Sequence, residues 1–71
     1  MPKESIETRS SSLFTEISYD NGTLIVDMVN FGRYSYRQVP LDLWRRFKSA
    51  ASYGSFYNTY IKGVYQYTRL R

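Results

Sequence analysis

The dipeptide Asn21-Gly22 constrains the fold of this chain more than any other feature, because it separates two stretches that both have the character of strands. Asn-Gly favours the type I′ turn, in which both central residues adopt positive φ angles. Apolar and polar side chains alternate over residues 13–19, and residues 23–29 are rich in β-branched and apolar side chains. A period of two is that of a half-buried strand, so the sequence predicts an antiparallel hairpin.

The segment after this hairpin predicts a third strand. Residues 33–39 alternate basic or small polar side chains with two tyrosines and a glutamine, and Asn30-Phe31-Gly32 provides a turn before them. Pro40 follows. It is expected to end the strand, because proline lacks the amide hydrogen that a sheet ladder needs.

Two helices are expected after the third strand. Apolar side chains recur at helical spacing in residues 41–51, and Trp44 beside them is the expected anchor of the core, with an exposed binding residue as the alternative. A second, short helix is expected after Gly54, capped by Ser55 and closed at Gly63. The predicted fold class is therefore α+β: a three-stranded antiparallel β-meander followed by two helices packed on one face.

The two ends of the chain have weaker patterns. Residues 1–11 are mostly polar and charged, which predicts a flexible N-terminal tail in front of a single domain over residues 12–71. Residues 64–71 carry tyrosines and arginines at alternate positions and indicate an extended segment that is either packed or free. The polar start lacks the apolar core of a signal peptide, and no stretch approaches the roughly 20 apolar residues of a membrane span. We therefore expect a cytoplasmic protein without a membrane partner.

The composition excludes several classes of site. The 71 residues contain no histidine and no cysteine. These absences remove zinc and iron sites built on imidazole or thiolate, nucleophilic pairs that need histidine or cysteine, and any disulfide. Asp27 and Asp42 are too isolated in the sequence to indicate a carboxylate pair or a magnesium site. We therefore expect a protein that is not an enzyme and that uses no metal and no cofactor.

A series of motifs in this chain resembles a known family. It comprises Tyr34-Ser35-Tyr36, Val39-Pro40 and residues 51–58, which read Ala-Ser-Tyr-Gly-Ser-Phe-Tyr-Asn, with residues 24–26 upstream. Their order and spacing resemble the KTSC domain, a module named for its occurrence at the C-terminus of some lysyl-tRNA synthetases and also found as a free-standing small bacterial or phage protein. The resemblance extends over roughly residues 11–70. It implies a binding module, for which RNA binding has been suggested from the attachment to a tRNA synthetase.

Basic residues are concentrated in the second part of the chain. Residues 1–27 contain two basic and five acidic side chains, whereas residues 28–71 contain eight basic side chains and one acidic side chain. This asymmetry predicts a basic surface that attracts an anionic partner, with an ordinary solvated helix face as the alternative. Arginines outnumber lysines seven to three, which favours bidentate contacts with phosphate or carboxylate.

Tyrosines provide the second candidate feature of a binding surface. Tyr34 and Tyr36 are two residues apart, so their rings share one face of the predicted strand. They either stack on unpaired bases or point under the helices into the core, and the alternation favours the core. In that arrangement the open face of the sheet presents Arg33 and Arg37, with Phe14 among the apolar residues beside them.

Two functions are compatible with these features. The first is a non-enzymatic module that contacts RNA, or a complex associated with nucleic acid, through a basic surface and sequence-tolerant stacking. The second is a free-standing, phage-encoded regulator that docks on an acidic surface of a host protein such as RNA polymerase. A monomer is expected in both cases. The candidate contact residues are Arg33, Arg37, Arg45, Arg46, Lys48, Lys62, Tyr34, Tyr36 and Tyr57.

Overall fold

A computed structural model describes residues 4–8, 13–29 and 32–70 of the chain. Its strands are β1 (Glu4–Glu7), β2 (Phe14–Asp20), β3 (Thr23–Met28), β4 (Gly32–Tyr36) and β5 (Tyr67–Arg69). In the described ranges these five strands form one antiparallel sheet, in which each strand pairs with its neighbour in the sequence. The predicted α+β class is confirmed. The predicted three-stranded meander is present as β2 to β4, but the strand number is wrong, because one further strand pairs with each edge.

The two additional strands lie where the sequence pattern is weakest. β1 falls in the segment predicted to be a flexible tail, and its Ile6 lies opposite Ile17 on β2. β5 pairs with β4, which places Tyr67 opposite Tyr36. The four residues of β1 are too few to show a clear period of two. The alternation over residues 64–71 predicts an extended segment but does not show that it pairs with β4. Residues 1–3 and 9–11 of the predicted tail lie outside the described residues.

The central hairpin has the predicted turn. Asn21 and Gly22 have φ angles of 49° and 86°, the signs that a type I′ turn requires. Of the second predicted turn, Asn30 and Phe31 lie outside the described residues, and Gly32 has a φ angle of 96°.

A β-bulge changes the face on which one aromatic side chain lies. The register of β2 against β3 shifts between Phe14 and Glu16. The extra residue turns Phe14 toward the same face as Ile17, and both side chains are fully buried. The expectation that Phe14 lies on the open face of the sheet is therefore wrong, because strict alternation does not hold across a bulge.

The helical layer covers one face of the sheet. Helix α1 spans Leu41–Lys48 and buries Leu43, Trp44 and Phe47 against the inward side chains of the strands. Helix α2 spans Tyr53–Phe56, and a π-helical segment over Tyr57–Ile61 continues it.

The first turn of α2 differs from the prediction. The backbone amide of Ser55 donates to the hydroxyl of Ser52 at 3.3 Å. Ser52, rather than Ser55, is therefore the N-cap, and the helix begins before Gly54 instead of after it.

Trp44 anchors the contact between the two layers, as predicted. Its ring is fully buried and stacks on Tyr19 with centroids 5.5 Å apart and planes 9° apart. The Trp44 indole N–H donates to the carboxylate of Glu4 on β1 at 2.7 Å, and Lys48 of α1 forms an ion pair with the same carboxylate at 3.0 Å. The edge strand β1 is thus attached to α1 by side chains as well as to β2 by its backbone.

Candidate functional site

A groove of about 390 Å³ lies between the β4–β5 edge of the sheet and the π-helical segment. This volume falls within the range of roughly 300–1,000 Å³ that is usual for small-ligand sites. Four tyrosines contribute to its walls and are accompanied by two apolar side chains, an amide, an amine and a glycine. The lining residues are Leu13, Met28, Tyr34, Tyr36, Tyr57, Asn58, Lys62, Gly63 and Tyr67.

Strand pairing brings three of these tyrosines together. Tyr34 and Tyr36 share one face of β4, and the register with β5 places Tyr67 opposite Tyr36. The ring of Tyr67 lies 5.6 Å from that of Tyr34 and 5.7 Å from that of Tyr36, measured between centroids. The Tyr34–Tyr67 planes are inclined by 70°, the edge-to-face arrangement that aromatic pairs favour.

The floor of the groove is a pair of buried hydroxyl groups. Tyr36 and Tyr57 form a hydrogen bond through their side-chain oxygens, and both residues are buried. Burial raises the pKa of the Tyr36 phenol, and the hydrogen bond that this phenol shares with Tyr57 raises it further. Burial also raises the pKa of Tyr57. Both phenols therefore stay neutral at physiological pH, so the floor offers hydrogen-bonding groups without a negative charge.

The π-helical segment shapes the opposite wall. The amide of Lys62 donates to the carbonyl of Tyr57 at 2.9 Å, a bond across five residues instead of four. The widened turn buries Tyr57 and Ile61 while leaving Asn58 exposed at the groove. Gly63 then adopts a φ angle of 79°, which glycine reaches without steric cost, and the chain turns toward β5. Single π-helical turns of this kind are frequent at functional sites.

Positive charge borders the groove. Lys62 is exposed at its wall, and the Arg69 guanidinium lies 6.0 Å from the centroid of the Tyr34 ring. Among the described residues that line the groove, none is acidic. The groove therefore combines aromatic surface with a positive potential.

The open face of the sheet has a different electrostatic character from the one expected. Arg33 donates to the Asp27 carboxylate at 2.7 Å and forms an ion pair with it. The strand registers place Glu7 beside Glu16 and Glu16 beside Asp27. Three acidic side chains therefore form a row across β1, β2 and β3, and Arg33 on β4 continues that row. The face is acidic along that row, and Arg33 is engaged within the protein.

The basic residues of α1 lie apart from the groove. Lys48 is paired with Glu4, and the Arg46 guanidinium lies 5.0 Å from the centroid of the Tyr60 ring. Arg45 is exposed. In the part of the chain that the structure describes, α1 contributes no residue to the groove. The predicted basic residues are thus distributed over the open sheet face, α1 and the groove side, because strands and helices with different orientations carry them.

The structure brings together only part of the predicted set. Tyr34, Tyr36, Tyr57 and Lys62 meet at the groove, and Arg37 lies at the end of β4 nearby. Sequence reasoning missed Tyr67 as a site residue. The alternation over residues 64–71 was the available signal, but it did not show which strand this segment would join.

The comparisons with known proteins identify the family. The model of the KTSC domain matches residues 10–65. The chain belongs to the KTSC domain family. The crystal structure of a KTSC domain protein from Yersinia pestis is similar to this KTSC domain with a TM-score of 0.91 and 30% sequence identity, over 99% of this chain and 100% of that one. No curated protein matches.

The described residues of this KTSC domain include neither a membrane-crossing helix nor a cluster of metal ligands. Within residues 4–8, 13–29 and 32–70, no helix is long and apolar enough to cross a membrane. The same ranges contain no group of three or more metal-ligating side chains placed to hold an ion. The tyrosine-lined groove, with four rings and a lysine among its lining residues, is the site on which we base a function.

Proposed function

We propose that this KTSC domain is a non-enzymatic module that binds single-stranded nucleic acid, RNA in the first place, in the tyrosine-lined groove. The observation that carries the proposal is the set of four tyrosines around one groove with Lys62 at its wall. Modules that bind single strands combine aromatic rings for stacking with a positively charged path for the backbone. The groove has both components.

The exposure of the rings supports different roles for them in this proposal. Tyr36 and Tyr57 are buried and bonded to each other, so they support the floor of the groove. Tyr67 is 59% exposed, and its ring is accessible to a base. Stacking of one base on an aromatic side chain contributes about 1–3 kcal/mol. Tyr67 is therefore the main stacking residue of the proposal, and Tyr34 beside it contributes a second ring.

The charge distribution favours the groove side over the open sheet face. Lys62 and Arg69 border the groove, and Arg37 lies close by. The acidic row on the open face repels phosphate. The hydroxyl groups of the four tyrosines and the Asn58 amide can both donate and accept hydrogen bonds, so we expect weak discrimination between bases.

Binding of labelled oligouridylate RNA and of a DNA duplex, measured by fluorescence anisotropy across salt concentrations, tests the proposal. Contacts with two or three phosphates give a log–log salt slope of about −1.4 to −2 for a single strand. We expect Tyr67→Ala to weaken RNA binding about tenfold or more, from the loss of one stacked base. Lys62→Gln should weaken it roughly fivefold at 0.1 M salt, from the loss of one phosphate contact.

Two matched controls separate the groove from general effects. Tyr60→Ala removes another exposed tyrosine, and Arg45→Gln removes one positive charge from α1, where the structure places no groove residue among those it describes. Both variants should retain the RNA affinity of the wild type. RNA binding that Arg45→Gln weakens as much as Lys62→Gln, or an absence of salt-dependent binding to the single strand, contradicts the proposal.

One observation favours a second candidate, docking on an acidic protein surface. The Arg46 guanidinium lies over the rings of Tyr60 and Phe56, which are themselves 4.6 Å apart between centroids. Arginine and tyrosine are enriched among the residues that dominate protein interfaces. Under this candidate, Arg46→Gln and Tyr60→Ala abolish capture of a purified acidic partner such as RNA polymerase, whereas Tyr67→Ala leaves it unchanged.

A further inference from the structure

A second hollow adjoins the tyrosine-lined groove. It measures about 410 Å³ and is lined by Arg37 and by the chain from Gly63 to Tyr67. Gly63 and Tyr67 also line the groove, so they form the wall between the two spaces. A third hollow, of about 360 Å³, shares Arg37 with the second. The recess therefore continues past Tyr67 toward the end of β4.

Each side of Tyr67 has its own positive charge. Lys62 lies in the groove and Arg37 in the second hollow. The two cations belong to different elements, since Lys62 follows the π-helical segment and Arg37 follows β4. Tyr67 is thus an exposed ring between two hollows, with one cation in each.

A backbone hydrogen bond positions the residue that carries the second cation. The amide of Arg37 donates to the carbonyl of Gln66 at 3.2 Å, which ties Arg37 to the chain that leads into β5. The following residue, Gln38, has a φ angle of 58°. This turn takes the chain out of the sheet directly after Arg37.

From this arrangement we infer that the ligand is a single strand of at least two nucleotides that crosses Tyr67, with one phosphate near Lys62 and the next near Arg37. The inference rests on the proposed function and extends it to the length and path of the ligand. A mononucleotide fills one hollow and meets one of the two cations. A duplex presents no free base face to Tyr67, because its bases are stacked on each other.

A length series tests the inference. The probes are uridine monophosphate, the dinucleotide UpUp, and oligouridylates of four and eight residues, titrated against the full chain by calorimetry. We expect the affinity to rise about tenfold or more from one nucleotide to two, because the second adds a stacked base or a phosphate contact. A smaller increase is expected beyond four residues.

The variant Arg37→Gln locates the second nucleotide. We expect it to weaken binding of the four-residue probe roughly fivefold at 0.1 M salt and to leave uridine monophosphate unaffected, since one phosphate contact is lost. Lys62→Gln should weaken both probes. Circular dichroism and the urea midpoint establish that each variant is folded.

The outcomes distinguish the inference from the proposed function. Single strands that bind with the same affinity as the mononucleotide overturn the inference and leave the proposed function intact. The same holds if Arg37→Gln weakens the mononucleotide and the four-residue probe equally. Failure of every probe to bind overturns both.

Discussion

The side-chain oxygens of Tyr36 and Tyr57 form a hydrogen bond between the sheet and the helical layer, directly under the groove. One tyrosine belongs to β4 and the other begins the π-helical segment. A single polar contact therefore joins the two elements whose separation sets the width of the groove. It also satisfies two hydroxyl groups that would otherwise be buried without partners.

Removing one of these hydroxyls should lower the free energy of unfolding by more than the net contribution of the hydrogen bond itself, because the other hydroxyl stays buried. Tyr36→Phe leaves the Tyr57 hydroxyl buried and unpaired, and Tyr57→Phe does the same to Tyr36, so each should lower the free energy of unfolding by about 1–3 kcal/mol. The double variant should lose less than the sum of the two. Urea unfolding of the four proteins in a double-mutant cycle measures the coupling, and strict additivity contradicts the contact.

Alkaline pH should destabilise the fold through the same pair. The pKa of Tyr36 and that of Tyr57 are raised above the ordinary value of 10.0 by burial. The unfolded state therefore releases these protons first, and the stability that they contribute is complete below pH 10 and is lost above it. In measurements from pH 8 to pH 11, the urea midpoint of the wild type should decrease as the pH approaches 11. This decrease should be smaller for the variant in which both tyrosines are replaced by phenylalanine. An equal decrease in the two proteins would contradict the contribution of the buried phenols.

Acidification should loosen β1. The pKa of Glu4 is lowered, first by the hydrogen bond from Trp44 and then by the bond from Lys48, relative to an ordinary value of 4.5. The stabilisation from these contacts is present above that value and is lost as the pH falls through the lower pKa of the folded state. Trp44 is the single tryptophan of the chain, so its fluorescence should change in this range. Glu4→Gln should abolish this transition, and a transition that persists in the variant assigns it to another carboxylate.

Two substitutions at left-handed positions should have opposite effects. Gln38 has a φ angle of 58° and Gly22 one of 86°. Gln38→Gly relieves the strain of a left-handed non-glycine residue and should stabilise the protein by about 0.5–1 kcal/mol, after the greater chain entropy of glycine is counted. Gly22→Ala introduces such strain and should destabilise it by about 1 kcal/mol or more. Thermal unfolding midpoints measure both, and a loss of stability in Gln38→Gly contradicts the strain argument.

The long, strongly patterned elements were predictable. The central hairpin, the strand that follows it and α1 each have a clear period in their side chains, and Asn21-Gly22 specifies the turn. The pairing of the edge strands was not predictable, because the four residues of β1 give no measurable period and the alternation over residues 64–71 does not show which strand that segment joins. The bulge at Phe14 was not predictable, because the alternation over residues 13–19 runs through it, and only the register against β3 shows the extra residue.

The candidate site was predictable by residue type but not by position. Tyr34, Tyr36 and Tyr57 were candidate contact residues, and the structure places all three at one groove. Tyr67, the most exposed ring among them, was missed because its role depends on pairing with β4. The charge pattern was a poorer guide, since a count of basic residues does not show that Arg33 is paired with Asp27.

The amino-acid sequence alone was sufficient to predict the α+β class, the hairpin with its turn, and the buried tryptophan. It was also sufficient to exclude sites that need histidine or cysteine. Each of these depends on the composition of the chain or on residues close together along it. The groove depends instead on contacts between residues far apart in the chain: β5 with β4, Tyr57 with Tyr36, and Glu4 with Trp44. Such contacts depend on the free energy of packing the whole molecule. Only the tertiary structure therefore identified them.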